Sequence, residues 1–499
     1  MSAEHPRLSA ATLASTHAGT QQPAYDRHRL RPGIVHLGLG AFVRAHQALY
    51  TEDLLATEFG PWGMIGVSLQ RPDQRDHLAP QDHLYTALQR DSSGVTARIV
   101  GCVQSALVAT EDPEAVIDAM AQPDTCIVSL TVTEKGYCLD PATGRLQEHH
   151  PDIRHDLEHP SEPRTAVGFI LAALARRRDA GIAPFTVLCC DNLPSNGTLL
   201  KNLVSDFAAL GDCGLATWVE THASFPSTMV DRIVPATTLD DLAEVARLTG
   251  LADAAPVVHE PFRQWVIEDR FIGGVRPSWD RVGAEFVSDV APYEHMKLRL
   301  LNGAHSALAY LGYLAGRETI ADAVADPALR TFVKALWRDE IIPVVPPPPG
   351  TDLTAYTYAL LNRFSNPAIR HRTWQIAMDG SQKLPQRLLS SVRERLPRDL
   401  PIPHLALAIA AWIRYVGGID ERGREIDVRD PLGPKLREIL DRAGEDPRAR
   451  VRAVLGIEAI FGSDLPRDAR FEKALVAAYS NLLDQGAVGA AAALARAHA

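Results

Sequence analysis

Residues 33–50 read G-I-V-H-L-G-L-G-A-F-V-R-A-H-Q-A-L-Y. Ile34 to Leu39 is a short apolar run that predicts a buried strand, with Gly38 and Gly40 at its end. From Arg44 the pattern turns helical, with Ala45, Ala48 and Leu49 on one side. A strand, two glycines and a helix start form the arrangement that holds a pyrophosphate. Glycine lets the main chain approach phosphate, and a helix start offers free N–H groups. Val43 stands where the third glycine of G-x-G-x-x-G would be, so the same letters also fit a plain tight turn.

Working outward, Gly63 to Leu69, Ala97 to Val103, Cys126 to Val132 and Phe185 to Cys190 read as further strands, with helical stretches such as 164–180 between them. Strands alternating with helices over 33–235 predict a parallel sheet in an α/β unit. Just past the second strand lies Asp73, an acid able to accept from an adenosine ribose, which favours NAD over NADP. Arg71 could instead meet a 2′-phosphate, and Asp73 also fits a solvated turn. Thr131, Thr133 and Glu134 fall at the end of the 126–132 strand, and Asp191 and Asn192 follow the 185–190 strand, at the strand ends where such sheets bind ligands. Asp191 and Asn192 equally suit an Asx-Pro-Gly turn. The Arg176-Arg177-Arg178 run reads as a solvated helix end. Asp231 sits among apolar residues and is expected to pair with Arg232.

From about residue 285 the pattern becomes mainly helical, interrupted by the proline-rich connector 343–350. We expect residues 1–285 to be a Rossmann-type unit and 286–499 a mainly α-helical one. Residues 294–312 read E-H-M-K-L-R-L-L-N-G-A-H-S-A-L-A-Y-L-G. On a helix of about 100° per residue, Asn302 lies roughly 140° and His305 roughly 80° around from Lys297. The three fit one broad face, where they could take a proton and hold an oxygen that gains charge. A buried helix with satisfied polar residues fits the same spacing. A second polar cluster spans Asn366 to Arg372 and Asp379 to Arg387, five potential cations against one Asp. It suits an anionic ligand or a solvated helix end.

The 499 residues carry a formal net charge of −10, and no basic cluster suggests nucleic-acid binding. The six cysteines form no C-x-x-C pair and read as free thiols in a reducing compartment, with no metal site. The N-terminus lacks signal-peptide order, and the apolar run Leu405 to Ile413 is too short to span a bilayer. A cytoplasmic protein, monomeric or a small homo-oligomer, is expected.

Together these motifs resemble the long-chain, zinc-independent mannitol dehydrogenase family of polyol and hexuronate dehydrogenases. The matching stretches are H-L-G-L-G-A-F at 36, R-A-H-Q-A at 44, T-E-K-G-Y-C at 133 and C-D-N-L-P-S-N-G at 190. They continue with M-V-D-R-I at 229, E-P-F-R-Q-W-V at 260 and K-L-R-L-L-N-G-A-H-S at 297. Within the family, H-R-T-W-Q-I-A-M-D-G-S-Q-K-L-P-Q-R at 371–387 looks most like the fructuronate reductases. The resemblance implies a site between the two units, with Gly38, Gly40, Ala41 and Phe42 at the dinucleotide. It implies Lys297 as acid–base, Asn302 and His305 holding the reacting oxygen, and Asn192, Asp231 and Glu294 on the substrate side. Two departures stand out: Val43 replaces a His, and Gln375 replaces an Arg that contacts sugar in mannitol dehydrogenases.

The implied reaction is NAD-dependent hydride transfer without a metal, between D-fructuronate and D-mannonate. Mannitol, arabinitol or sorbitol oxidation is the alternative, and a non-catalytic dinucleotide sensor belongs to another class. A lysine amine has an ordinary pKa of about 10.4, which a less polar setting would lower into a useful range. The carboxylate of a hexuronate should meet cations, with Arg372 and Lys383 expected first, then His371 and Arg387.

Overall fold

The computed structural model describes residues 5–132, 134–140 and 143–497, and only the main chain of 134, 135 and 497. The chain divides into two compact units, Met1–Ala291 and Pro292–Ala499.

In the first unit the central strand Pro32–Leu37 pairs in parallel with Gly63–Ser68 on one side and Ile127–Leu130 on the other. Val103–Val108 and Thr186–Cys189 complete a five-stranded parallel sheet. Numbered by their place in the chain, its strands lie in the order 3-2-1-4-5, the Rossmann arrangement. Alternation along each strand splits the core in two. Val35, Leu37, Val128 and Leu130 pack under helices Pro113–Ala121 and Ala166–Asp179. Ile34, Met64, Ile127 and Leu188 pack on the other face, with Gln47–Thr57, Trp265 and Trp279. Two smaller three-stranded sheets flank this one.

Two expectations change here. The apolar run 97–103 is not a strand of the parallel sheet. Gly94–Val100 forms a hairpin with Tyr85–Asp91, and the third parallel strand is the more polar Val103–Val108. Cys102, between them, is buried against Ala48 and Met64, so the chain passes from one sheet to the next without leaving the core. Arg177 is buried rather than solvated: its guanidinium donates to the main-chain oxygens of Met120, Ala183 and Thr125. All six cysteines are free, and Cys213 is exposed.

The second unit is helical. Its core is built on Ala304–Leu314 and Pro403–Val416, long apolar helices buried nearly all round. The last helix, Ala469–Ala497, is broken at Gly486, whose φ of 69° suits only glycine. No described helix is long and apolar enough to cross a membrane.

Candidate active site

The glycine turn of the first unit is set by steric necessity. Gly38 has φ 96°, and a Cβ there would lie 2.1 Å from the Thr131 oxygen, so no other residue fits. The N–H groups of Gly38 and Leu39 both donate to the Val67 oxygen, at 2.8 and 3.0 Å. Gly40 is exposed, and a Cβ there would meet nothing nearer than 3.8 Å. The helix that follows is only Ala41–Ala45 and breaks at His46 before Gln47–Thr57 begins. Helix therefore starts three residues earlier than Arg44 and is interrupted. Val43 is buried in the core, Phe42 stacks on His46 at 5.0 Å, and Ala41 is half-buried. Arg44 is also buried, its Nε donating to the Gly40 oxygen at 3.2 Å.

A cavity of about 510 Å³ lies beyond the carboxyl ends of Gly63–Ser68 and Val103–Val108. Gln70, Thr110, Asp152, His155, Glu162 and Arg164 line it. Asp73, expected at this point, is exposed in the first turn of Asp73–Leu78 and does not line the cavity. Thr133 lies outside the described residues. Glu134 opens the short turn Glu134–Tyr137, and its side chain lies outside them as well. That loop is clamped by Asp191, which accepts from the Val132 N–H at 2.8 Å and the Tyr137 hydroxyl at 2.6 Å. Asn192 is exposed beside it. Asp231 is buried at the end of Thr228–Asp231. Arg232 turns to main-chain oxygens instead of serving as its expected partner, donating to Ala45 at 2.7 Å and Glu260 at 3.1 Å. A guanidinium satisfied by carbonyls needs no carboxylate beside it. Residues that can hold a dinucleotide are thus present: a glycine turn that admits no side chain, an open main chain at Gly40, and a cavity at the strand ends.

In the second unit, Lys297 does not lie on an α-helix. Lys297–Gly303 is a π-helical turn between Ala291–Met296 and Ala304–Leu314. Its hydrogen bonds run from residue i to i+5, so Lys297 and Asn302 are one turn apart. The angle of roughly 140° expected on an α-helix therefore closes up, and the two side chains share a face more narrowly than the letters imply. Lys297, Asn302, His305 and Glu294 are all buried. The wide turn is held from outside: Trp337 Nε1 donates to the Leu300 oxygen at 2.8 Å, and Arg299 reaches Val344 and Glu394. It packs against two further π-helical turns, Leu336–Ile341 and Pro385–Leu389. The latter includes Pro385, which cannot donate to an i−4 carbonyl.

His305 lies flat on Phe364, ring centroids 4.3 Å apart, with the edge of His371 at 5.1 Å. Burial holds the His305 imidazole well below its ordinary pKa, and the neighbouring His371, Arg363, Arg387 and Lys297 push the same way. His371 is lowered to about 4, by burial and then by Arg363 and Lys383. His305 Nε2 and His371 Nδ1 are both buried with no hydrogen-bond partner among the described residues. Of the cations expected around the substrate, Arg387 is brought here, donating to Ser306 at 3.1 Å. Lys383 donates to the Met378 oxygen at 2.6 Å. Arg372 is turned outward into an ion pair with Glu318 at 3.0 Å, and Gln375 is exposed. Arg363 and Phe364 were missed by the sequence reading. They close the amphipathic helix Leu353–Phe364, where an arginine and an aromatic residue pass for ordinary helix letters.

A Rossmann sheet joined in one chain to a helical unit that carries a buried Lys-Asn-His set defines a dinucleotide-dependent dehydrogenase of CH–OH groups. Residues 32–281 match the mannitol dehydrogenase Rossmann domain and residues 289–483 the mannitol dehydrogenase C-terminal domain. The chain belongs to the mannitol dehydrogenase family. It is 50% identical to D-mannonate oxidoreductase of Escherichia coli over 488 residues, covering 97% of this chain and 100% of that one. It is 42% identical to mannitol 2-dehydrogenase of Pyricularia oryzae over 492 residues, 96% and 97% of the two chains. The solved ternary complex of Pseudomonas fluorescens mannitol 2-dehydrogenase with NAD and D-mannitol superposes with a TM-score of 0.91 at 39% identity. It covers 98% of this chain and 99% of that one.

Proposed function

We propose that this enzyme interconverts D-fructuronate and D-mannonate with NAD(H). The observation that carries the substrate class is the setting of His305, a neutral imidazole with a buried nitrogen unpaired among the described residues, close to the charges of Arg363, Arg387 and Lys297. So much positive charge suits a substrate that brings a carboxylate. NAD is read over NADP because Asp152 and Glu162 outnumber Arg164 in the cavity at the strand ends, an adverse setting for a 2′-phosphate.

Bound NAD would supply the hydride acceptor, and NADH the donor. Lys297 takes the hydroxyl proton during oxidation and returns it during reduction. Asn302 and the neutral His305 donate hydrogen bonds to the oxygen as it gains charge, preorganised by burial and by the Phe364 stack. Arg387 meets the carboxylate.

The test is a panel of hexuronates, ketoses and polyols with both nicotinamide cofactors. Fructuronate with NADH should exceed fructose in kcat/KM by about a hundredfold, the worth of a desolvated charge-assisted contact. Equal values would transfer the assignment to a polyol dehydrogenase, the second reading, which the likeness to mannitol 2-dehydrogenases supports.

A further inference from the structure

A line of polar groups crosses the core of the Rossmann sheet, where apolar side chains would be expected. Gln47, Ser129 and His36 are buried on the face that Gln47–Thr57 covers. Ser129 Oγ is 3.0 Å from Gln47 Oε1 and 2.8 Å from His36 Nδ1. His36 Nε2 is 2.9 Å from Thr131 Oγ1, and Thr131 Oγ1 is 3.2 Å from the Gly38 oxygen. The line thus starts on a helix and ends on the carbonyl of the glycine that no other residue can replace.

We propose that His36 is a positioning residue for the dinucleotide turn: as its Nε2–H tautomer it donates to Thr131, whose hydroxyl in turn donates to the Gly38 oxygen. The proposal rests on the dinucleotide reading of that turn. The hydrogen count gives the direction. Burial lowers the His36 pKa to about 3, so the ring is neutral, with one donor and one acceptor nitrogen. The Gly38 oxygen only accepts. If the single Thr131 proton points there, Thr131 must accept from His36 Nε2–H. Nδ1 then accepts from Ser129, and Ser129 from Gln47.

With Oε1 facing Ser129, Gln47 leaves its buried Nε2 with no partner among the described residues. Turning that amide over gives the NH₂ group its acceptor and points every donor in the line toward Gly38. The acceptor left over is the lesser cost, because orphaned buried N–H groups are rarer than under-used oxygens. The opposite direction strands the Gln47 donor and takes the Thr131 proton away from the turn. A strand-end hydroxyl held in this way is a second donor to the Gly38 oxygen, which also accepts from the Gly40 N–H at 2.6 Å, so it helps fix the peptide of the turn.

The test uses the full-length enzyme labelled with ¹⁵N-histidine, the His36 signals being those lost in His36→Gln. The expected spectrum has a protonated Nε2 and a bare Nδ1, unchanged between about pH 8 and 5.5 for a group lowered this far. A protonated Nδ1 overturns the direction. NADH titration of two variants tests the positioning. A glutamine amide reaches the place of Nε2, whereas an asparagine amide reaches only that of Nδ1. His36→Gln should keep the Kd for NADH within about threefold, and His36→Asn should weaken it about tenfold or more, the worth of one buried hydrogen bond. A purely structural role would lower the melting temperature in both and leave the two Kd values equal, which overturns the proposal. Wild-type enzyme that binds no NADH would sink the dinucleotide reading and the positioning role with it, while the tautomer is still read by NMR.

Discussion

A Cβ on Gly303 would lie 2.6 Å from the main-chain oxygen of Arg387. The π-helical turn that bears Lys297 and Asn302 therefore touches the backbone of the residue that brings a guanidinium to Ser306, next to His305. That contact makes Gly303→Ala a sharp test. The added methyl has to displace main chain, which costs about 1–3 kcal/mol in a packed core. The variant should melt several degrees lower, and its KM for the sugar acid should rise more than its Kd for NADH. Unchanged stability would mean that the two turns are not locked together.

Lys297→Ala should lower turnover in both directions by about 10²- to 10⁴-fold, the range for a positioned acid–base group. NADH affinity, measured by fluorescence titration, should stay as in the wild type. Near-normal turnover would remove Lys297 from the chemistry.

Arg387→Leu and Arg372→Ala should separate. Losing the half-buried Arg387 guanidinium should reduce kcat/KM for fructuronate by roughly ten- to a hundredfold, from about 1.5–3 kcal/mol of charge-assisted hydrogen bonding. Fructose, which lacks the carboxylate, should be affected far less. Arg372 is half-buried and already paired with Glu318, so its loss should change either value less than about twofold. The reverse ranking would restore Arg372 as the carboxylate contact.

The buried histidines make the first unit acid-sensitive. Burial lowers the His259 pKa to about 3, so below pH 6.5 the unfolded chain binds a proton that the folded chain refuses. Stability is thus intact above the unfolded value and falls as pH drops toward the folded one. Between pH 7 and 5 this residue should cost about 2 kcal/mol. His259→Asn keeps an amide where Nδ1 meets the Glu260 oxygen at 2.8 Å. In chemical denaturation it should lose less stability over that interval than the wild type, and an equal loss would show that His259 is protonated in the folded state.

Local letters carried much of this molecule. A parallel sheet follows from apolar strands alternating with helices, and the glycine turn from G-L-G at a strand end, because both patterns are written in residues a few positions apart, whereas the 3-2-1-4-5 order came from pairing. The candidate Lys-Asn-His set was legible as three polar letters in an apolar run. Its true spacing was not, since the π-helical turn is stabilised by Trp337, Arg299 and the 385–389 turn, which lie far away in sequence. The exchange of 97–103 for Val103–Val108 has the same origin: both segments are plausible strands, and pairing partners made the choice.

By itself the sequence determined the class of the fold, the two-part organisation, the glycine turn and the candidate acid–base residue. Each depends on periodicity or on the chemistry of single side chains. Only the tertiary structure decided which cations stand beside His305, that Arg372 faces Glu318, and that His36 lines up with Thr131 and Gly38. Those outcomes depend on which distant segments pack together, and packing is a property of the whole chain that no window of neighbours contains.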